Sequence, residues 1–142
     1  MRKLPTIKVI VAGTRTFDDY ELARAELNIR IAPGVFDREV IIVSGRCDDK
    51  KNGVLTFTTK EGIGVYGADG LGERYAEEYG FPVIPVPAEW GKYGKKASYI
   101  RNSKMGDIGT HCVCFMIGES KGTSMMIKIA KSKGLVTQVI NV

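Results

Sequence analysis

Apolar runs alternate with amphipathic stretches along the chain, and no other feature of the sequence restricts the fold as strongly. Runs with strand-like content cover residues 7–12, 39–44, 81–86, 111–117 and 136–142. The stretches between them with helical patterns cover residues 18–31, 67–79, 95–105 and 120–133. Strands that are apolar on both faces and alternate with helices are typical of a parallel sheet covered on both sides. The sequence therefore predicts an α/β protein.

Right-handed crossovers between successive parallel strands define the topology of this sheet. They predict a doubly wound, Rossmann-like sheet of five strands in the order 3-2-1-4-5. The chain of 142 residues has the length of one ordinary domain, and we expect residues 1–142 to form a single domain. No apolar run approaches the roughly 20 residues of a transmembrane helix, and residues 1–5 lack the features of a signal peptide. We expect a cytoplasmic protein with no membrane partner.

Residues 46–66 break the alternation. Residues 48–53 are polar and turn-like, whereas residues 54–59 and 63–66 have the β-branched and aromatic content of strands. The segment is therefore predicted to be an inserted β-hairpin on the ligand-facing edge of the sheet. Two interpretations stay open: a flap over the ligand or a neighbouring subunit, and a mobile surface loop.

Two glycine-containing loops follow the first and fourth predicted strands. In an open parallel sheet, ligands bind beyond the carboxyl ends of the strands where the winding reverses, which here lies between these two strands. Glycine lets a backbone approach a phosphate, and helix N-terminal amides receive it. Each loop alone fits a structural turn equally well, but their convergence on one crevice favours a phosphate cradle. The candidate ligand-binding residues in these loops are Gly13, Thr14, Arg15, Phe17, Gly118, Ser120, Lys121, Gly122 and Thr123.

Further candidates lie at the end of the second strand and on the two central helices. Asp69 fits either a helix N-cap or an acceptor for a ribose hydroxyl. Asn102 would need satisfied hydrogen bonds if it is buried, so with Arg101 it forms either a pocket wall or a subunit contact. These candidates are Ser44, Gly45, Gly67, Ala68, Asp69, Arg101 and Asn102.

Aromatic and apolar side chains cluster around the third predicted helix. Trp90 and Tyr93 are able to stack on a base or to cover the edge of the core. With Tyr99 and Ile100 they also resemble a helix face that is buried in a symmetric contact. We therefore expect a homo-oligomer, most simply a dimer.

Cofactor and metal motifs are missing from the sequence. It contains neither the Gly-x-Gly-x-x-Gly dinucleotide fingerprint nor a Gly-x-x-x-x-Gly-Lys-Ser/Thr motif, and we expect no cofactor. Cys112 and Cys114 share one face of a strand beside His111, but no second ligand cluster accompanies them. We interpret them, like Cys47, as reduced thiols and expect no metal. The formal net charge of +5 favours anionic partners, nucleotides included.

A series of short motifs runs in a fixed order along the chain. It begins with residues 11–20, continues with residues 43–45, 67–69 and 73–76, and ends with residues 87–90, 93–97, 100–105 and 118–123. Together these motifs resemble the SLOG superfamily, and most closely its YspA-related branch, which is common in bacteria and phages. The resemblance covers nearly the whole chain. It implies a Rossmann-like domain that senses or sequesters a nucleotide-derived signal, such as an ADP-ribose-like molecule or a cyclic nucleotide.

Two departures from the family pattern bear on function. The branch usually joins its Ser-Gly to its Gly-Ala-Asp through a few small residues, whereas residues 46–66 intervene here. The related LOG phosphoribohydrolases place a catalytic glutamate three residues after the threonine of their Gly-Thr, and Met126 occupies that position here. Methionine neither accepts a proton nor stabilises an oxocarbenium ion. The sequence therefore favours ligand binding over the LOG reaction.

Two other functions remain open. One is an enzyme that cleaves an N-glycosidic or phosphate bond of a nucleotide, with Asp69, Glu73 and Glu119 as its carboxylates and Arg15 or Arg101 on the phosphate. The other is single-stranded DNA binding, as in the DprA relatives. The positive charge permits DNA binding, but no basic stripe interleaved with aromatic residues is evident.

Overall fold

The computed structural model describes residues 4–14, 16–45 and 67–142, together with four short strand segments between residues 48 and 65. The strands of the main sheet are β1 (Ile7–Gly13), β2 (Val40–Ser44), β3 (Val83–Pro85), β4 (His111–Met116) and β5 (Val136–Asn141). The long helices are α1 (Tyr20–Ile31), α2 (Gly67–Tyr79), α3 (Ala97–Ile108) and α4 (Lys121–Ser132). All strand pairs of the main sheet are parallel, and their order is β3-β2-β1-β4-β5. The predicted fold class and strand order are confirmed.

The helices bury both faces of the sheet, as continuous apolar strands require. On one face, Val9 and Val11 of β1 join a core with residues of α1 and α2, among them Leu27 and Tyr75. On the other face, Ile10 joins a core with residues of α3 and α4. Glycine permits a close contact between α2 and β1, since a Cβ at Gly72 of α2 would lie 2.7 Å from the Cβ of Val11.

Helix α1 begins two residues later than the acidic pair predicts. The side chain of Asp19 is the N-cap and accepts a hydrogen bond from the backbone N–H of Leu22 at 3.1 Å. This bond satisfies a donor that has no partner within the helix. Residue 18, expected in the helix, therefore precedes it, and the first helical residue is Tyr20.

Strand β3 is shorter than residues 81–86, and it forms one edge of the sheet, as its prolines predict. Residues 88–94 were expected to be a loop, but Trp90–Tyr93 form one helical turn that a 3-10 turn, Gly94–Lys96, joins to α3. Helix α3 also continues to Ile108, three residues beyond its predicted end. Gly106 continues the helix because its face packs against α4, where a Cβ would lie 3.0 Å from Ile129 Cγ2.

The inserted segment contains the predicted hairpin. Strand segment Thr56–Thr59 pairs antiparallel with Gly62–Val65. A second antiparallel pair, Asp48–Asp49 with Gly53–Val54, lies where a polar turn was expected. Within the described ranges, no helix has both the length and the apolar content to cross a membrane.

Candidate functional site

A cleft of about 260 Å³ opens at the carboxyl ends of β1, β2 and β4. Strands β1 and β4 are neighbours in the sheet although three strand connections separate them in the chain, so the winding reverses between them. This is the position where open α/β sheets bind ligands. Nine of the candidate ligand-binding residues line the cleft: Gly13, Gly45, Ala68, Asp69, Arg101, Asn102, Ser120, Gly122 and Thr123.

Gly13 and Thr14 fasten the end of β1 to the end of β4. A Cβ at Gly13 would overlap the backbone carbonyl oxygen of Phe115 and lie 2.9 Å from the Cβ of Ala68, so only glycine fits there. The backbone N–H of Thr14 donates to Phe115 O at 2.9 Å, and Thr14 Oγ1 accepts from the N–H of Ile117 at 3.0 Å. Thr14 therefore fixes the two loops against each other and does not line the cleft.

Helix α4 brings its N-terminus to the cleft. Ser120 is the N-cap: its Oγ accepts from the N–H of Thr123 at 3.4 Å and donates to Thr123 Oγ1 at 3.0 Å. The N–H groups that follow an N-cap have no acceptor within the helix. A Cβ at Gly122 would meet no atom within 4 Å, so this position presents bare backbone to the cleft.

Two other residues of the β4–α4 connection lie outside the cleft. Gly118 makes the turn after β4 with a φ of 59°, a left-handed conformation that favours glycine. Lys121 lines a separate, larger and more open hollow together with Glu119 and Tyr99. Lys121 was predicted to belong to the ligand site. As the first residue of α4 it instead faces the second hollow and is absent from the cleft lining.

Arg101 is the cation of the described cleft wall, and hydrogen bonds hold it in place. Its Nη1 donates to the carbonyl oxygen of Gly45 at 2.7 Å, and its Nε donates to Asn102 Oδ1 at 2.8 Å. A Cβ at Gly45 would lie 3.2 Å from Arg101 Nη1, so glycine makes room for the guanidinium. Asn102 is only 4% exposed. Both residues of this pair belong to the cleft lining.

Two predicted site residues lie in the core. Phe17 is 2% exposed, and its ring stacks on Phe115 with 4.9 Å between the centroids. Ser44 is 1% exposed, and its Oγ donates to Glu73 Oε2 at 2.8 Å. Ser44 turns away from the cleft because successive side chains of a strand point to opposite faces and the next residue, Gly45, lines the cleft. Phe17 is held in the core by its stacking on Phe115. Glu73 ties α2 to β2 and lies outside the cleft lining.

Asp69 is the carboxylate that the described lining contains. It lies in the first turn of α2, whose first helical residue is Gly67. Its charge also acts on the buried thiol of Cys114. A hydrogen bond to Cys112, burial and the nearby negative charges of Cys112 and Asp69 raise the pKa of the Cys114 thiol. Both thiols are buried and free of disulfides, as expected of inert cysteines.

The lining contains an apolar part whose methionines were not among the predicted ligand-binding residues, whereas Trp90 was named as able to stack on a base. Met105 and Met126 are buried and contribute to the same core as Ala12, and Trp90 stands beside them in the lining. The spacing of residues along α3 and α4 was the sequence signal that could have identified these methionines. Residues 98, 101, 102 and 105 follow the i, i+3, i+4, i+7 pattern of one α3 face, and residues 122 and 126 are four apart on α4. The methionines were overlooked because this spacing also describes an ordinary core face.

Some predicted features lie outside the described residues. These are Arg15, Cys47 and the side chains of residues 48–66. Among the residues with described positions, no group of three or more His, Cys, Asp or Glu could hold a metal ion. No protein-family model, curated protein or solved structure matches the chain.

Proposed function

We propose that the cleft binds a nucleotide or a nucleotide-derived, phosphate-bearing ligand, and that the protein senses or sequesters this ligand. One observation carries the proposal. Where the winding of the sheet reverses, a single cleft collects an anchored arginine, the N-terminal turn of α4 and an apolar wall. A phosphate and a base need these surroundings together.

The N-terminal turn of α4 suits the phosphate. Its backbone N–H groups and the helix dipole favour an anion, and Gly122 leaves the backbone accessible. The Arg101 guanidinium adds a positive charge whose position is already fixed by Gly45 and Asn102. A preorganised cation loses little side-chain entropy when it binds an anion.

The rest of the cleft lining suits the nucleoside part of the ligand, because it combines an apolar surface with one hydrogen-bond acceptor. Trp90, Met105 and Met126 offer an aromatic ring and two thioether side chains. The Asp69 carboxylate is able to accept hydrogen bonds from ribose hydroxyls. The described volume of about 260 Å³ lies just below the range of roughly 300–1,000 Å³ for small-molecule sites, which favours a ligand of about one nucleotide in the enclosed part.

Hydrolysis of the ligand is the second candidate function, and Asp69 is the observation that favours it. This carboxylate faces the same cleft as Arg101, a pairing that bond cleavage in a nucleotide would use. Glu73 hydrogen-bonds to Ser44 and Glu119 borders the second hollow, so neither joins Asp69 in the lining. The buried Met126 at the position of the LOG glutamate supports binding without the LOG reaction.

A ligand panel separates the two functions. The purified protein is incubated with AMP, ADP, ADP-ribose, cyclic AMP and inorganic phosphate, and each mixture is followed by thermal shift and by product chromatography. A sensor raises the melting temperature and leaves the ligand intact. Turnover that is lost in Asp69→Asn would establish the hydrolase instead. No shift and no product with any member of the panel would contradict the proposal.

The Arg101→Gln variant tests the proposed cation. Loss of a charge-assisted hydrogen bond corresponds to about 1.5–3 kcal/mol, or about 10- to 150-fold in affinity. Arg24→Gln is the matched control, because Arg24 is a partly exposed arginine of α1 that pairs with Glu78, and neither residue belongs to the cleft lining. Equal affinities for both variants in calorimetry would remove Arg101 from the binding site.

A further inference from the structure

The two edges of the main sheet differ in their protection against pairing with another strand. At the β3 edge, Val86 N–H donates to Ser44 O, so the N–H groups of alternate residues point away from the sheet. One of those outward positions is Pro85, which has no N–H, and Pro82 precedes the strand. Proline is a common means of blocking an edge strand. The β3 edge is therefore closed to extension.

The β5 edge lacks each of these protections. Residues 136–142 contain no proline, no glycine and no charged residue, and three of the seven are valine. Val136 N–H donates to Thr110 O and Val142 N–H donates to Met116 O, both towards β4. Since backbone groups alternate along a strand, those of Thr137, Val139 and Asn141 point outwards. Within the described residues, no strand pairs with this outer side.

An antiparallel copy of β5 complements this edge in one register. With Val139 facing its own symmetry mate, Thr137 faces Asn141, and each outward N–H meets an outward carbonyl. The same register places Val136 opposite Val142. The exposed fractions of these valines are 56% for Val136, 37% for Val139 and 52% for Val142. Each of the three exposed valines thus faces a valine, and residues 136–142 bring no charged side chain to the contact.

We propose that two copies of this chain associate through β5, paired antiparallel about a twofold axis at Val139. The contact makes a continuous sheet of ten strands, five from each copy. Isologous contacts of this kind are the commonest in homo-oligomers, and strand addition supplies directional main-chain hydrogen bonds. Helix α1 borders the joint: Arg30 donates from Nε to Gln138 Oε1 of β5, and the adjacent Ile29 is 75% exposed.

The aromatic cluster from which the sequence analysis predicted a dimer is less suited than β5 to a contact between two copies. Trp90 lines the cleft, and Tyr93 and Ile100 are half-buried. Tyr99 is the exposed member, at 57%. A single exposed tyrosine offers little apolar area, whereas β5 offers three exposed valines and outward backbone groups that no described strand pairs with. We therefore assign the contact to β5.

The test compares Val139→Lys with Val35→Lys by sedimentation velocity over a concentration series in the micromolar range. Two lysines facing each other on the axis repel, and the dimer dissociation constant should rise at least about tenfold. Val35 is 62% exposed in the turn after α1, so the same change there should leave association unaltered. Circular dichroism checks that both variants are folded.

Hydrogen exchange of the unaltered protein gives an independent readout. The amides of Thr137, Val139 and Asn141 should exchange more slowly as the protein concentration rises. Those of Val136 and Val142, which donate to β4, should be protected at every concentration. A monomeric protein throughout the series, or a dimer that Val139→Lys leaves intact while the outward amides exchange rapidly, would overturn the proposal.

Discussion

Replacement of Gly122 by alanine separates ligand binding from stability. A Cβ at this position meets no atom within 4 Å, and its backbone has no left-handed φ, so alanine fits without strain. Alanine restricts the unfolded chain more than glycine does and should stabilise the protein by about 0.4–1 kcal/mol. For a domain of this length, such a change raises the melting temperature by about 1–4 °C.

The same methyl group occupies the space through which a phosphate would approach the N-terminal turn of α4. If the Gly122 N–H contacts the ligand, the loss of one charge-assisted hydrogen bond weakens binding by about 1.5–3 kcal/mol. Gly91→Ala is the matched control. Gly91 lies in the helical turn Trp90–Tyr93, its Cβ would also meet open space, and it is absent from the cleft lining.

Calorimetry with the best ligand of the panel, combined with thermal unfolding, reads both effects. We expect both alanine variants to be at least as stable as the parent protein and the Gly122 variant alone to bind weakly. Gly122→Leu, which fills more of the cleft, should abolish binding. Parent-like affinity in the alanine and leucine variants would refute the placement of the phosphate at α4, and a loss of stability would refute the open space around Gly122.

Three further changes test the surroundings of the cleft. Gly13→Ala should lower the free energy of unfolding by about 1–3 kcal/mol, because its methyl group overlaps the Phe115 carbonyl oxygen; denaturant unfolding measures this. Ser120→Ala removes the N-cap of α4 and should cost about 1 kcal/mol in the same assay, whereas a parent-like midpoint would show that the cap contributes nothing. Burial, and then the charge of Arg38, lower the pKa of His111 below its usual 6.5, so its neutral form stabilises the fold above that pH. This contribution is lost as the pH falls below about 6.5; unfolding at several pH values should show a decline that His111→Gln reduces, and an identical decline in both proteins would contradict the assignment.

The sequence predicts the sheet well because strands that are buried on both faces appear as continuous apolar runs. Strands β1, β2 and β4 are mostly apolar, and a helix pattern follows each strand except the last. The predicted end of α3 was wrong because Gly106 usually signals a helix end, whereas here the missing side chain admits α4. The sequence around Gly106 gives no information about this contact, because α4 lies later in the chain.

The position of the candidate site was predictable from the sequence, but its exact residues were predictable only in part. Strand ends identify the residues near the cleft, but they do not state which way each side chain points. Ser44 and Phe17 were therefore included although one hydrogen-bonds to Glu73 and the other stacks on Phe115. Conversely, Met105 and Met126 carry no polar group and look like core residues until the structure places them beneath the cleft.

The two methionines have a consequence for ligand selectivity. The polar part of the cleft is made by a helix terminus and an anchored guanidinium, which are rigid, whereas methionine side chains adapt their shape to different apolar groups. Such a combination demands an anionic group strictly but discriminates weakly among the bases attached to it. We therefore expect adenine, guanine and pyrimidine forms of the same phosphate ligand to bind within about tenfold of one another, because shape differences in an adaptable pocket change binding by only about 1 kcal/mol. Replacement of Met126 by leucine, which is stiffer and similar in size, should widen that spread, and an unchanged spread would show that the methionines do not set the breadth of recognition.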